Sequence, residues 1–117
     1  MRFTQVDFGD VQPIDGYGQG FFRIGGQVYE GAVLLTASGV EPLEGLRDRA
    51  RLMALVGEID VILFGTGTEI AHIDAGLRAE IEAAGIGAEV MNTPAACRTW
   101  NVLAAEGRRV ALAALPV

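Results

Sequence analysis

The chain contains no lysine, one cysteine and one histidine among its 117 residues, and each shortage closes off a class of chemistry. A single thiol, Cys97, excludes an internal disulfide, and Cys97 with His72 falls short of a structural zinc set. No metal and no cofactor is therefore expected. Because all nine basic residues are arginine against fifteen acidic ones, the net charge is −6, which repels phosphate backbones and disfavours nucleic-acid binding by counterion release. An arginine-only, alanine- and glycine-rich composition also arises from a GC-rich genome. No apolar run approaches the roughly 20 residues needed to cross a bilayer, and the opening Met1-Arg2-Phe3-Thr4-Gln5 lacks the apolar core of a signal peptide. The expectation is a bacterial cytoplasmic protein, with peripheral association at the inner membrane left open.

What is present is one domain's worth of alternating pattern, spanning 1–117. Alternation around Phe3, Val6 and Phe8 predicts a short strand, followed by a loop to residue 16, and Pro13 restricts any strand there to an edge. The run 20–24, the dipeptide Gly25-Gly26 and the run 27–35 predict an antiparallel hairpin with a primed two-residue turn. Past Gly39 and Pro42 the period changes. Leu46, Ala50, Met53 and Ala54 recur at helical spacing, with Arg47, Asp48 and Arg51 opposite, so a helix is predicted near 46–56. Val61-Ile62-Leu63-Phe64 is apolar at every position, the mark of a strand covered on both faces. Asp74 is placed to cap a second helix carrying Leu77 and Ile81 and stopped by Gly85. Residues 88–91 predict a strand, 94–105 a third helix and 110–115 a last buried strand. The predicted fold is α/β: a three-layer domain with a mixed central sheet, an N-terminal hairpin and a C-terminal β-α-β-α-β-α-β run.

Polar residues gather where strands hand over to helices, the place where α/β folds keep their sites. Gly65-Thr66-Gly67-Thr68-Glu69-Ile70 follows a buried strand and could form an anion-binding nest. It departs from a dinucleotide fingerprint, since Ile70 stands where a glycine is needed; the plainer reading is a tight turn requiring small residues. In the segment 91–110, Thr93 can cap a helix with Pro94 at its first position, which puts Arg98 and Asn101 one turn apart on one face. Arg98 with Thr93, Thr99 and Asn101 could complete a polar pocket beside Gly65, Thr66 and Gly67. The alternative for Arg98 is an internal ion pair with Glu89 or Glu106. Cys97, near a helix N-terminus and beside Arg98, could be an activated thiol, but it has no base in its own segment, and a small buried thiol is the simpler assignment. His72 reads as a packed or partly exposed imidazole, Trp100 as core, and Asp48, Glu80 and Glu82 as solvated helix positions. Arg108 and Arg109 follow Gly107 at the negative end of the third helix. No catalytic set emerges.

Tyr29-Glu30-Gly31, Gly65-Thr66-Gly67 and the long segment ending at Val110 together resemble a small-domain family, the Mth938-like proteins, which includes the mitochondrial complex I assembly factor three. The resemblance implies a three-layer fold and a protein partner: subunits of complex I or the machinery of membrane-protein biogenesis. A non-catalytic assembly factor is the function it implies. A small-ligand or nucleotide-binding protein, perhaps an oxidoreductase, using Gly65, Thr66, Gly67, Thr93, Arg98, Thr99 and Asn101, is the reading that the residues themselves leave open.

Overall fold

The computed structural model describes residues 11–117. Strands β1 (Ile14–Gly18), β2 (Phe21–Ile24) and β3 (Gln27–Glu30) form a small antiparallel sheet. A second, five-stranded sheet follows, built from β4 (Val33–Thr36), β5 (Gly39–Pro42), β6 (Val61–Thr66), β7 (Gly87–Met91) and β8 (Val110–Leu115) in the order β5-β4-β8-β6-β7. Its β6, β7 and β8 run parallel, whereas β4 is antiparallel to both β5 and β8. The helices are α1 (Arg49–Met53), α2 (Ala75–Ala83) and α3 (Thr93–Ala105).

The central sheet separates two cores. On one side Trp100, Cys97 and Ala96 of α3 and Phe22 and Ile24 of β2 pack on Leu35, Leu63 and Leu112. On the other, Leu52 of α1 and Leu77 and Ile81 of α2 pack on Leu34, Ile62, Phe64 and Ala111. Alternate residues of β6 thus enter opposite cores, as an all-apolar strand must. The layers are α1 and α2, then the five-stranded sheet, then α3 with the small sheet.

The hairpin turn is as expected. Gly25 and Gly26 both take positive φ, 57° and 83°, the conformation of a type I′ turn that side chains resist. The helix ends are equally local in origin: Asp74 accepts from the Leu77 N–H at 2.9 Å to cap α2. At the C-terminus of α3, the N–H groups of Gly107 and Arg108 close on the carbonyls of Ala104 and Leu103, a Schellman arrangement made possible by Gly107 at φ 75°.

Five expectations need correction, and a sixth cannot be compared. The run 27–35 is two strands, because Gly31 at φ 82° turns the chain out of the small sheet and β4 pairs with β8 instead. Gly39 and Pro42, past which the period changes, themselves lie inside β5, an edge strand where proline's missing N–H costs no ladder bond. The predicted helix at 46–56 shrinks to α1, and its inward face carries Leu52 while Ala50 and Ala54 are exposed. Asp48 caps it through the Arg51 N–H, so the helix starts at Arg49, three residues later than the pattern suggests. Asn92, not Thr93, caps α3 by accepting from the Ala95 N–H at 2.9 Å. The strand expected around Phe3, Val6 and Phe8 lies outside the described residues, and residues 14–16, expected as loop, belong to β1 because β2 is there to pair with them.

Candidate functional site

The parallel strands β6 and β8 end side by side, with Gly65 opposite Ala114 and Thr66 opposite Leu115. Into this end α3 delivers Thr93, which is fully buried. Its hydroxyl donates to the Leu115 carbonyl at 2.6 Å and accepts from the Gly67 N–H at 2.8 Å. Its own N–H donates to the Gly67 carbonyl at 2.8 Å. Such an approach requires glycine at position 65: a Cβ there would stand 2.9 Å from Thr93 Oγ1 and 3.1 Å from Ala114 Cβ. Gly67 takes φ 101°, again a glycine conformation. Thr66 folds the following loop back, its hydroxyl accepting from the Ala71 N–H at 3.0 Å and donating to the Glu69 carbonyl at 2.8 Å.

Gly65, Thr66, Gly67 and Thr93 therefore meet, as expected, but as a closed latch. The Gly67 N–H, which an anion-binding nest would need, is bonded to Thr93. The other three residues point to different tasks. Asn101 clasps β1, accepting from the Ile14 N–H at 2.9 Å and donating to the Ile14 carbonyl at 3.0 Å. The Thr99 hydroxyl returns to the Ala95 carbonyl one turn back. Arg98 is exposed, and among the described residues it joins no ion pair; Glu106 pairs with Arg108 instead. The seven do not line one pocket.

Cys97 lies in the second turn of α3 and is buried in the core. Burial pushes its thiol up to about 11, against a smaller opposing pull from the Arg98 guanidinium. At neutral pH it is a protonated packing group. Trp100 is core as expected, its indole N–H donating to the Gln12 carbonyl at 3.1 Å.

The open space lies instead on either side of the loop from β6 to α2. One cleft, about 590 Å³, lies between Ile70, His72 and Ile73 of the loop, Arg78 of α2 and the outer edge of β7 at Ala88, Glu89 and Val90. A second, about 530 Å³, lies on the loop's other side against Leu46, Arg47 and Asp48. The exposed His72 borders both. Ion pairs hem the second cleft: Arg47 meets Asp74 at 3.1 Å, and Asp48 holds Arg51 at 3.0 Å. Although partial burial would raise the Asp48 carboxyl, the N–H groups of Glu44 and Arg51 and the Arg51 guanidinium hold it below its usual value. Asp48, expected as a solvated helix position, instead has its carboxylate enclosed and caps α1, whereas Glu80 is exposed as expected and accepts two bonds from Arg49 at 2.8 and 2.5 Å. Sequence reasoning took this loop as a tight turn with a packed or partly exposed His72 and did not mark it as the wall of a cleft. Its signal was two isoleucines, Ile70 and Ile73, in a connection where polar residues are the norm.

Comparison with known proteins bears on what this surface serves. Residues 14–115 match the family described as "Protein of unknown function (DUF498/DUF598)". An uncharacterised protein of Rhodobacter capsulatus is 50% identical over 117 residues, covering 100% of this chain and 94% of its own length. NADH dehydrogenase [ubiquinone] 1 alpha subcomplex assembly factor 3 of Mus musculus is 29% identical over 99% of the chain, and the human protein of that name 32%; the chain spans 66% and 67% of their lengths. Among solved structures, an outer membrane protein from Bartonella henselae superimposes with TM-score 0.83 at 34% identity, over 92% of this chain and 96% of that one. A Mth938-like domain from Bordetella pertussis does so with TM-score 0.77 at 25% identity, over 99% and 92%.

Proposed function

The chain belongs to the family described as "Protein of unknown function (DUF498/DUF598)", and from that premise we propose that it is a non-catalytic assembly factor that binds protein subunits of respiratory complex I or of another membrane complex. The observation that carries this reading is the similarity to the complex I assembly factor over 99% of the chain, so that the whole domain, not one segment of it, is shared. The chemistry of the interior agrees with it. The one thiol is buried and protonated, and the glycine turn spends its amide on Thr93. No helix among the described residues is long and apolar enough to cross a membrane; in this reading the protein meets membrane subunits from the cytoplasmic side. Exposed residues of α3 provide a contact surface: Arg98 and, one turn on, Val102, which is 57% exposed.

Affinity purification of the tagged protein from its own membranes and cytosol, with Arg98→Ala in parallel, tests this. The expected result is enrichment of complex I subunits that falls in the variant, and less assembled complex I when the gene is deleted. Normal complex I levels with no co-purifying subunit would overturn the reading.

A further inference from the structure

Strand β7 is an edge of the central sheet, and its free side opens into the larger cleft. The Gly87 N–H donates to the Asp60 carbonyl at 2.8 Å, and β7 runs parallel to β6, so Gly87, Glu89 and Met91 turn their backbone groups toward β6. Ala88 and Val90 must then turn their N–H and C=O groups outward. One of these is already used: Arg78 Nη2 donates to the Ala88 carbonyl at 3.1 Å. The Ala88 N–H and both groups of Val90 have no backbone partner among the described residues. Beside them the cleft is walled by Ile73 and by Ile70, which is 66% exposed. Glu89 projects to the α3 side of the sheet and is exposed; among the described residues it joins no ion pair.

We propose that the Ala88–Val90 edge of β7 is an acceptor for an extended segment of a partner protein, running antiparallel to β7, with a basic residue opposite Glu89 and apolar residues on either side of it. The residue opposite Val90 exchanges two backbone bonds with it; because Ala88 is only 2% exposed and Arg78 holds its carbonyl, the Arg78 side chain swings aside as a carbonyl two residues on accepts from the Ala88 N–H. The flanking apolar side chains fall on the cleft side, against Ile70 and Ile73. Charge decides between this occupant and a second copy of the chain. A two-fold pairing of β7 with itself through Ala88 and Val90 would set Glu89 against Glu89 at about 4.5 Å, a like-charge pair that opposes association. This mode of capture rests on the assembly reading above.

The test uses the full chain and two labelled nine-residue peptides of alternating valine and threonine, one with a central lysine and its twin with glutamate there. Fluorescence anisotropy should show the lysine peptide binding about five-fold more tightly, and Glu89→Lys should reverse the order. Val90→Pro, which removes an outward N–H at an edge where proline is tolerated, should abolish binding of both while the melting curve stays cooperative. Absence of binding by folded wild type at millimolar peptide would overturn the proposal, as would an order that Glu89→Lys leaves unchanged. A wild-type dimer dissolved by Val90→Pro would give the edge to a second copy instead. If Val90→Pro still captures complex I subunits as wild type does, the edge proposal fails and the assembly reading stands. If the lysine peptide binds but wild type captures no subunit, the reverse holds.

Discussion

The latch at the ends of β6 and β8 and the open edge of β7 sit side by side on the same sheet, and they use the same kinds of group in opposite ways. At the latch every donor has an acceptor inside the protein: the Gly67 N–H and the Thr93 hydroxyl and N–H each find a partner within 2.8 Å. One strand over, the Ala88 N–H and the Val90 backbone have none among the described residues, and isoleucine stands exposed beside them. A glycine-rich turn at the end of a parallel strand is therefore no binding site when a neighbouring helix supplies the hydroxyl that fills it. Recognition is left to groups that the fold does not consume.

The sharpest way to break the latch is Gly65→Val, because even a Cβ meets Thr93 and Ala114 inside 3.2 Å and α3 would have to move. The expected loss is about 3–4 kcal/mol, visible in denaturant unfolding. Thr93→Val keeps the shape and removes the hydroxyl, leaving the Gly67 N–H and the Leu115 carbonyl buried without it. About 2–3 kcal/mol should be lost, and the amide of Gly67 should exchange faster in hydrogen-exchange experiments. Alkaline pH probes the core behind the latch. Because the folded Cys97 thiol titrates at about 11 against 9.0 for a free one, the folded state holds this proton more tightly. Stability from it is intact below pH 9 and declines as pH rises toward 11, by as much as about 2.5 kcal/mol. A Cys97→Ala variant should lose that part of the pH dependence. On the exposed side, Arg98→Ala should change stability by less than about 0.5 kcal/mol, so that any loss of partner capture by this variant reports contact and not folding.

Much of the fold was legible before the structure, and for one reason: its signals were local. Gly25-Gly26 needs only its own positive φ to make the turn, and Asp74, Gly85 and Gly107 bound their helices by bonds within one turn of themselves. Val61–Phe64 announced two covered faces because no position in it could face water. The errors came where a distant partner decides. Gly39–Pro42 is a strand only because β4 is there to pair with it, and α1 turns Leu52 inward because the second core lies on that side. The site fared less well. Thr93 was placed at the right junction with the wrong task, since its capping geometry is as good as that of Asn92 in sequence and only the nearness of Gly67 and Leu115 separates them. Asn101 was grouped with Arg98 by helical spacing, yet it is held by Ile14, 87 positions away.

From its sequence alone this chain determined its element order, its turns and caps, the strand buried on both faces and the family to which it belongs, because each is written in short-range φ preferences, in periodicity or in a long shared pattern. Only the tertiary structure decided which polar groups remain for a partner, because a hydrogen bond from Gly67, in the turn after β6, to Thr93 of α3, 26 residues apart, closes one candidate, whereas the strand order that makes β7 an edge opens another.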